Sequence, residues 1–408
     1  MKKIVGIMGN QGYKGKRQEN KSLFEDVMQS MDQQDQQEQQ EQQEQRDQQY
    51  MRQAMELAEK ARGRTSPNPL VGALIVKEGK VIGKGYHKKH GDHHAEVNAF
   101  NSTKEKAEGA TLYVTLEPCF HYGNTPPCVD RVIEEGIRRV VIGLKDPNPL
   151  VGGKSIEKLK KRGIEVREGV LEEVLKEQNR IFLEYIQTQK PYTVIKTAMS
   201  LDGKIATSSG ESQWITGEKA RAYVHTLRDQ MSGIMVGVGT VIEDDPSLTT
   251  RLQDQKGKDP HRIVVDTRGR IPLTAKILHL DSEAKTIIAS TELMEEDKKK
   301  ALEDLGATVL MSPIKNERVD LKHLFDKLGE QKIDSVLVEG GATLNFSLVE
   351  EALVHRIISF IAPKIIGGES AKTPIGGRGI LRMEDVITLN NLQYKHFGQD
   401  LMIQGDIR

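Results

Sequence analysis

The sequence at residues 115–128 is Thr-Leu-Glu-Pro-Cys-Phe-His-Tyr-Gly-Asn-Thr-Pro-Pro-Cys, and it contains the only two cysteines of the chain, Cys119 and Cys128. Upstream of this stretch lies His94-Ala95-Glu96. A catalytic zinc ion takes three protein ligands from residues such as histidine and cysteine and leaves a fourth position for water. The pattern therefore predicts one zinc ion per chain, bound by His94, Cys119 and Cys128.

Glu96 is the candidate proton carrier of this site, because it lies beside the histidine ligand without being needed as a ligand. Zinc deaminases combine an H-x-E motif with two downstream cysteines, and their glutamate moves a proton between water and the departing amine. A disulfide, or two buried cysteines without a metal, would also account for Cys119 and Cys128. Both cysteines follow a proline and lie downstream of H-x-E, which favours the metal site. We therefore expect a zinc-dependent hydrolytic deaminase.

The choice of histidine is less direct, because His87, His90, His93 and His94 lie close together in the sequence. Only His94 stands in the H-x-E relation to Glu96. We expect His90 and His93 to be exposed to solvent and His94 to lie in the first turn of a helix.

Composition limits the classes of partner. The 59 basic residues balance the 59 acidic ones, and aromatic residues make up only 4% of the chain, so neither a nucleic-acid footprint nor a base-stacking platform is indicated. No stretch has the length of a membrane-spanning helix, and two cysteines in 408 residues are typical of a reducing compartment. We expect a cytoplasmic protein that binds neither nucleic acid nor a membrane and that forms a homo-oligomer.

Residues 1–49 differ from the rest of the chain. Between Asp32 and Gln49 the sequence is almost entirely glutamine, with an acidic residue at every third position. No apolar stripe offsets the entropy of ordering this segment. Glutamine and glutamate are good helix formers, so a frayed helix is as compatible with the sequence as a disordered tail. We expect a low-complexity extension that is dispensable and disordered.

Two α/β domains are predicted after this extension, at residues 50–190 and 191–408. In the first, apolar runs at 71–76 and 81–86 form a hairpin, helices start near His94 and at Cys128, and a long helix starts at Leu171. In the second, strands are expected at 193–198, 233–238, 262–266, 286–289, 308–311, 335–338 and 356–362. Alternation of strands and helices indicates layered α/β architecture in both.

Residues 50–408 resemble one family, the bifunctional riboflavin-biosynthesis proteins, in which a pyrimidine deaminase is fused to a reductase. That family carries H-A-E-V followed by T-L-E-P-C-x-H-x-G-x-T-P-P-C, which residues 94–97 and 115–128 match. The resemblance implies a cytidine-deaminase-like α/β/α domain followed by a dihydrofolate-reductase-like α/β domain. It also implies that Asn68, His87 and His121 line the deaminase pocket. Asn124 departs from some relatives, which have lysine there.

The reductase half shows one phosphate-binding feature of its own. Val336-Leu337-Val338 runs into Gly340-Gly341 and then a helical pattern, so exposed backbone N–H groups and a helix dipole could hold a phosphate. By resemblance the cofactor is NADPH. The implied substrate contacts are Ser212, Arg228, Arg251 and Glu339, and the implied cofactor positions are Ala198, Trp214, Thr240, Asp244, Thr267, Gly341, Ala342, Thr343, Leu344, Asn345, Phe346 and Ser347.

Two of these residues have simpler interpretations. Trp214 could be a core aromatic residue, and Arg228 could stabilise the C-terminus of a helix, where a cation is favoured.

The resemblance implies a two-step enzyme acting on a phosphorylated pyrimidine. The first step removes the ring 2-amino group of 2,5-diamino-6-ribosylamino-4(3H)-pyrimidinone 5′-phosphate. The second step reduces the ribosyl group of the product to ribityl with NADPH. The alternatives are a nucleoside or tRNA deaminase fused to an unrelated domain, and a non-catalytic scaffold that binds partners through its glutamine-rich extension.

Overall fold

The computed structural model describes residues 11–120, 126–148, 152–253 and 256–407, with side chains from residue 33 onward. Within these ranges the chain forms two α/β units in sequence order, as expected. No helix in the described ranges has both the length and the apolar character needed to cross a membrane.

The first unit is built on a five-stranded sheet with strand order β2-β1-β3-β4-β5. Its strands are β1 (Gly72–Lys77), β2 (Lys80–Tyr86), β3 (Thr111–Leu116), β4 (Arg139–Leu144) and β5 (Glu165–Arg167). The predicted hairpin is present, since β1 pairs with β2 in antiparallel register. Strands β3, β4 and β5 are mutually parallel.

Helices cover both faces of this sheet, which explains why β3 and β4 are buried along almost their whole length. The helices are α1 (Gln11–Glu59), α2 (Ala95–Asn101), α3 (Cys128–Glu134), α4 (Lys154–Lys161), α5 (Glu172–Gln178) and α6 (Arg180–Thr188). Apolar residues of α2, α3 and α4 form the core on one face. Those of α1 and α5 form the core on the other face, so the layers are α/β/α.

Of the segment before residue 50, the structure describes residues 11–49, and there it has the helical alternative. The segment is helical from Gln11 onward, and the expected domain boundary at residue 50 lies inside one continuous helix. Glutamine and glutamate are good helix formers, so the segment needs no apolar stripe to adopt this conformation. Its later turns are held by burial, because Asp47, Met51 and Ala54 are fully inaccessible to solvent.

The prediction of one long helix after Leu171 is wrong, because the structure has two helices there. The two helices, α5 and α6, are separated at Asn179, whose side chain forms hydrogen bonds with the backbone of Leu70. The Leu70 N–H donates to Asn179 Oδ1 at 2.8 Å, and Asn179 Nδ2 donates to the Leu70 carbonyl at 3.1 Å. This pairing attaches the loop before β1 to the helical layer.

The second unit is a nine-stranded sheet with order β10-β9-β8-β7-β13-β6-β14-β16-β15. Its strands are β6 (Tyr192–Ser200), β7 (Gly233–Gly237), β8 (His261–Val265), β9 (Thr286–Ser290), β10 (Thr308–Met311), β13 (Ser335–Val338), β14 (Arg356–Ala362), β15 (Asn390–Phe397) and β16 (Asp400–Asp406), with a separate small pair β11 (Ile314–Lys315) and β12 (Arg318–Val319). All seven predicted strands are present, whereas β15 and β16 were not predicted.

Most neighbouring strands of this sheet are parallel, and only β14, β16 and β15 are joined in antiparallel pairs. The helices are α7 (Glu218–Gln230), α8 (Val238–Asp244), α9 (Glu296–Asp304), α10 (Leu321–Glu330) and α11 (Ala342–Glu350), with 3-10 turns at Lys276–Leu278 and Met383–Asp385. In parallel sheets of this kind, ligand-binding loops follow the carboxyl ends of the strands.

Candidate active sites

The three predicted zinc ligands come together in the first unit. His94 caps the N-terminus of α2, Cys119 follows β3, and Cys128 is the first residue of α3. His94 Nδ1 lies 3.2 Å from Cys128 Sγ and 3.5 Å from Cys119 Sγ. The three ligand atoms all lie within 4.8 Å of one another. One imidazole nitrogen and two sulfur atoms at this spacing fit a zinc ion, which prefers such donors.

The electrostatics of this cluster also suit a cation. Hydrogen bonding to Cys128 lowers the pKa of Cys119 to about 4, and the same contact together with burial raises the pKa of Cys128. Two adjacent thiols, of which Cys128 is buried and Cys119 partly buried, resist a second negative charge unless a cation compensates it. A zinc ion would supply that compensation.

Glu96 lies beside the three ligands, in the first turn of α2, and its side chain is only 3% exposed. It shares a hydrogen bond with Cys128, and burial raises the pKa of Glu96 to about 7. Helix α2 approaches the sheet closely because β2 has glycine at position 85. A Cβ atom there would lie 2.2 Å from the Ala95 carbonyl oxygen, so only glycine permits this packing.

His94, Glu96 and Cys119 line a cavity of about 300 Å³. Asn68 and His87, which the resemblance assigned to the substrate pocket, lie in its wall, and Asn68 Nδ2 is 3.1 Å from His87 Nε2. His87 Nδ1 lies 3.1 Å from the His93 carbonyl oxygen, and burial lowers the pKa of His87, which favours its neutral form. His90 and His93 are exposed, as expected. His121 and Asn124 lie outside the described residues.

Glu117 is a pocket residue that the sequence analysis did not single out. Its carboxylate is 4% exposed and accepts hydrogen bonds from backbone N–H groups of Asp146, Gly153 and Ser155, at 2.9–3.2 Å. Asp146 and Asn148 line the cavity. Glu117 therefore holds in place the segment that forms part of the cavity wall. In the sequence it is the glutamate of the T-L-E-P-C motif, two residues before Cys119.

The predicted reductase substrate residues are only partly clustered. Glu339 follows β13, and Arg228 Nε and Nη2 donate to its two carboxylate oxygens at 2.7 and 2.9 Å. Lys196, a residue of β6 that was not predicted, lies 3.3 Å from the same carboxylate. Burial opposes charge on Glu339, but the two cations lower its pKa well below the usual range. Glu339 is therefore ionised within a buried ion cluster.

Arg228 does not cap its helix with its side chain. Besides Glu339, its guanidinium donates to the Thr249 carbonyl at 3.0 Å. Arg251 is exposed, and its N–H donates to His225 Nδ1 at 3.2 Å. Ser212 is half-buried, and no hydrogen bond among the described residues connects it to the ion cluster.

Several predicted cofactor positions lie near the carboxyl ends of the strands. Gly341 caps the N-terminus of α11, and a Cβ atom at Gly341 would lie 3.6 Å from Thr240 Oγ1, so α8 and α11 begin close together. Ala198 lies on β6, Asp244 ends α8, and Thr267 follows β8. Strand β13 leads through Gly340 and Gly341 into α11, the strand-to-helix arrangement in which backbone N–H groups can hold a phosphate.

The side chains within the 341–347 stretch are not all available to a ligand. Leu344 and Phe346 are buried, and Asn345 is buried with its Nδ2 donating to the Pro374 carbonyl at 2.8 Å. Trp214 is 62% exposed, which excludes its interpretation as a core residue. The guanidinium of Arg221 lies 4.5 Å from the centre of its ring.

Comparison with known proteins identifies a known family for each of the two units. Residues 44–144 match the family model of the cytidine and deoxycytidylate deaminase zinc-binding region, and residues 191–403 match that of the RibD C-terminal domain. The chain is 49% identical over 354 residues to the riboflavin biosynthesis protein RibD of Actinobacillus pleuropneumoniae, covering 87% of this chain and 93% of that protein. It is 39% identical over 365 residues to RibD of Escherichia coli strain K12, covering 87% and 97%.

Solved structures also show similarity to RibD proteins. Acinetobacter baumannii RibD superimposes with a TM-score of 0.80 at 39% identity, covering 90% of this chain and 99% of that one. A diaminohydroxyphosphoribosylaminopyrimidine deaminase/5-amino-6-(5-phosphoribosylamino)uracil reductase from Thermotoga maritima superimposes with a TM-score of 0.78 at 34% identity, covering 90% and 99%. The expected fold classes and the expected family are therefore confirmed. The chain belongs to the RibD family, the bifunctional enzymes of riboflavin biosynthesis, with a zinc-binding deaminase domain followed by an NADPH-dependent reductase domain.

Proposed function

We propose that the first unit deaminates 2,5-diamino-6-ribosylamino-4(3H)-pyrimidinone 5′-phosphate and that the second unit reduces the product, 5-amino-6-(5-phosphoribosylamino)uracil. The observation that carries this proposal is the convergence of His94, Cys119 and Cys128 beside Glu96 at one cavity. The substrate of the second step is the compound named for the Thermotoga maritima reductase.

In the deaminase, His94 Nδ1 and the sulfur atoms of Cys119 and Cys128 would hold the zinc ion. When bound, zinc supplies a Lewis acid that lowers the pKa of water at its open fourth position. Glu96 then carries the proton: its carboxylate accepts a proton from the attacking water and donates a proton to the departing amino nitrogen, which leaves as ammonia. Its burial keeps bulk water from competing for that proton.

Asn68 and His87 would orient the pyrimidine. Their side chains are joined at 3.1 Å, and the loop that carries Asn68 is attached to α5 and α6 through the contacts between Leu70 and Asn179. A fixed amide and a neutral imidazole can together donate to and accept from the polar edge of a heterocycle. His121 remains a proposed pocket residue by resemblance alone.

In the reductase, bound NADPH would supply a hydride to C1′ of the ribosyl group, while the bond between C1′ and the ring oxygen opens and that oxygen takes a proton from solvent. The residues around Glu339 would bind the sugar, since an ionised carboxylate is a strong acceptor for hydroxyl groups. Arg228 already binds Glu339 and Thr249, so we assign it to holding the carboxylate in place. Arg251, which is exposed, would then bind the substrate phosphate, with Ser212 as a further contact.

The cofactor would lie along the carboxyl ends of β6, β7, β8 and β13. We assign the start of α11, at Gly341 to Thr343, to a phosphate of the cofactor. Ala198, Trp214, Thr240, Asp244 and Thr267 would border the rest of it. Leu344, Asn345, Phe346 and Ser347 would contribute through the backbone and packing of α11, since the first three side chains face the interior.

Purified protein would test this proposal by metal analysis and by turnover of the pyrimidine phosphate. We expect one zinc ion per chain, release of ammonia, and oxidation of NADPH only after deamination. Ammonia release without zinc, or no turnover by a zinc-loaded protein, would contradict the deaminase assignment. The cytoplasmic location and the homo-oligomer expected from the sequence are retained as proposals, and size measurement in solution tests the second.

A further inference from the structure

Arg64 of the deaminase unit binds Asp229 of the reductase unit. Arg64 lies in the loop between α1 and β1, and Asp229 lies in the last turn of α7. Nη2 of Arg64 is 3.0 Å from both carboxylate oxygens of Asp229, and Nη1 is 3.3 Å from its carbonyl oxygen. Asp229 is only 7% exposed, so Arg64 is the cation that faces a largely buried carboxylate.

The backbones of the two units also meet at this point. Gly63 has φ +77°, and a Cβ atom there would lie 2.5 Å from the Asp229 carbonyl oxygen. The Lys258 ammonium of the reductase donates to the Gly63 carbonyl at 3.3 Å. The loop before β1 is therefore packed directly against the end of α7, and Arg64 has little freedom to move away.

Asp229 also holds part of the reductase. Its Oδ1 accepts the Lys258 N–H at 2.7 Å, while the preceding residue, Arg228, donates to the Thr249 carbonyl at 3.0 Å. Thr249 and Lys258 lie on either side of Arg251 in the sequence. Two consecutive side chains at the end of α7 thus bind the chain at Thr249 and at Lys258, one on each side of Arg251.

We propose that Arg64 is a positioning residue for the reductase although it belongs to the deaminase unit. It fixes the Asp229 carboxylate, which binds Lys258, while Arg228 binds Thr249, so the end of α7 sets the position of Arg251 between them. This inference rests on the proposed function, in which Arg251 binds the substrate phosphate. Without Arg64, the buried carboxylate loses its ion-pair partner and takes other donors, so Lys258 shifts and the Arg251 guanidinium shifts with it.

The test is steady-state kinetics of the full-length Arg64→Met enzyme with NADPH and 5-amino-6-(5-phosphoribosylamino)uracil. We expect KM for the pyrimidine to rise about fivefold or more, a size typical of coupling between sites, with kcat for reduction nearly unchanged. Competitive inhibition by inorganic phosphate should weaken in parallel. Asp229→Asn should give the same change, and the double variant should be no worse than either, because both act through one contact.

Two further variants test whether the change in KM comes from Arg64 itself. Glu184→Gln breaks a different contact between the units, the pair with His355 at 3.2 Å, and should leave KM unchanged. Arg64→Lys keeps the charge but loses the two-pronged geometry, and it should give an intermediate KM even if Arg64→Met folds poorly.

The outcomes separate this inference from the proposed function. If Arg251→Met raises KM but Arg64→Met and Arg64→Lys do not, the positioning role of Arg64 is wrong. If Arg251→Met also leaves KM and phosphate inhibition unchanged, the phosphate assignment itself is wrong. A rise in KM for Glu184→Gln as large as that for Arg64→Met would show a general effect of the interface, and would overturn the inference.

Discussion

Asp47 and Arg139 form a buried, two-pronged ion pair in which Nη1 and Nη2 of the arginine each lie 2.8 Å from a different carboxylate oxygen. The Tyr113 hydroxyl donates to the same carboxylate at 2.9 Å. Asp47 lies near the end of the glutamine-rich segment, whereas Arg139 begins β4. The pair shows that the deaminase unit starts before Asp47.

Truncation should reveal this boundary. A chain that starts at Gln43 keeps the ion pair and should melt close to the full-length temperature, because residues 33–42 are exposed. A chain that starts at Tyr50 leaves Arg139 without its buried partner, which costs about 3–5 kcal/mol. Thermal unfolding of the two truncated chains checks this. Equal melting temperatures would show that the pair does not stabilise the unit.

The same pair predicts a pH dependence. Burial alone would raise the pKa of Asp47, but the hydrogen bond and charge of Arg139, with help from Tyr113, lower it. A carboxyl whose pKa is lowered by folding stabilises the protein above its unfolded pKa of about 3.9, and loses this contribution as the pH falls through the folded value. Asp47→Asn should therefore be less stable than the wild type at pH 7, with the gap narrowing toward pH 3. Melting temperatures across this range test the trend, and a constant gap would argue against it.

Zinc content should distinguish a variant of a zinc ligand from a variant of the proton carrier. Cys119→Ala should lose both zinc and deamination. Glu96→Gln should keep zinc while deamination falls by a factor of about 10² or more, as expected for loss of a general acid and base. Reductase activity, measured with supplied intermediate, is the internal control for both variants. Zinc loss in Glu96→Gln would mean that Glu96 helps to hold the metal.

Glu117 should matter for deamination without acting as a ligand. Glu117→Gln loses a charged acceptor for the N–H groups of Asp146, Gly153 and Ser155, so the cavity wall should shift. We expect deaminase kcat/KM to fall about tenfold or more with zinc content unchanged, since small displacements at an active site are costly. Asp130→Asn is the control, because it removes a carboxylate that pairs with Lys158 of α4 outside the cavity. Comparable losses in both variants would contradict the positioning role.

Arg228 and Arg251 should respond differently to the same substitution. Arg228→Met leaves Glu339 buried with only Lys196, so it should lower stability by about 3–5 kcal/mol and reduce reductase kcat. Arg251→Met should raise the KM for the pyrimidine about tenfold or more at near-normal stability, because it loses a charge-assisted contact. Melting temperatures and reductase kinetics of the two variants distinguish these effects. A change in KM alone for Arg228→Met would instead support Arg228 as a direct substrate contact.

The metal site was predictable from sequence because its chemistry depends on residue type and order, which His94, Cys119 and Cys128 display directly. The hairpin and the parallel strands were predictable because their apolar runs are bounded by turn residues. The hydrogen bonds of Glu117 could not be predicted in this way. Its partners are backbone N–H groups about 30–40 residues away, and no side-chain pattern marks them.

The missed elements have similar explanations. Strand β15 is an exposed edge strand whose sequence is mostly polar, so it lacks the alternation that indicates a half-buried strand. The break between α5 and α6 depends on a distant loop, because Asn179 is used by Leu70. Asp47 looked like one more acidic residue of a repetitive segment, since only the folded chain brings Arg139 to it.

The close packing of Gly63 and Arg64 against Asp229 also limits how RibD chains can recombine. A hybrid that joins the deaminase half of one relative to the reductase half of another must keep a glycine-sized residue, a two-pronged cation and an acid at these positions. Ser66 and Ser232, whose hydroxyl oxygens lie 2.8 Å apart, extend the matching set. Residues that lie more than a hundred positions apart in the sequence are thus expected to be kept as a matched set in a working hybrid.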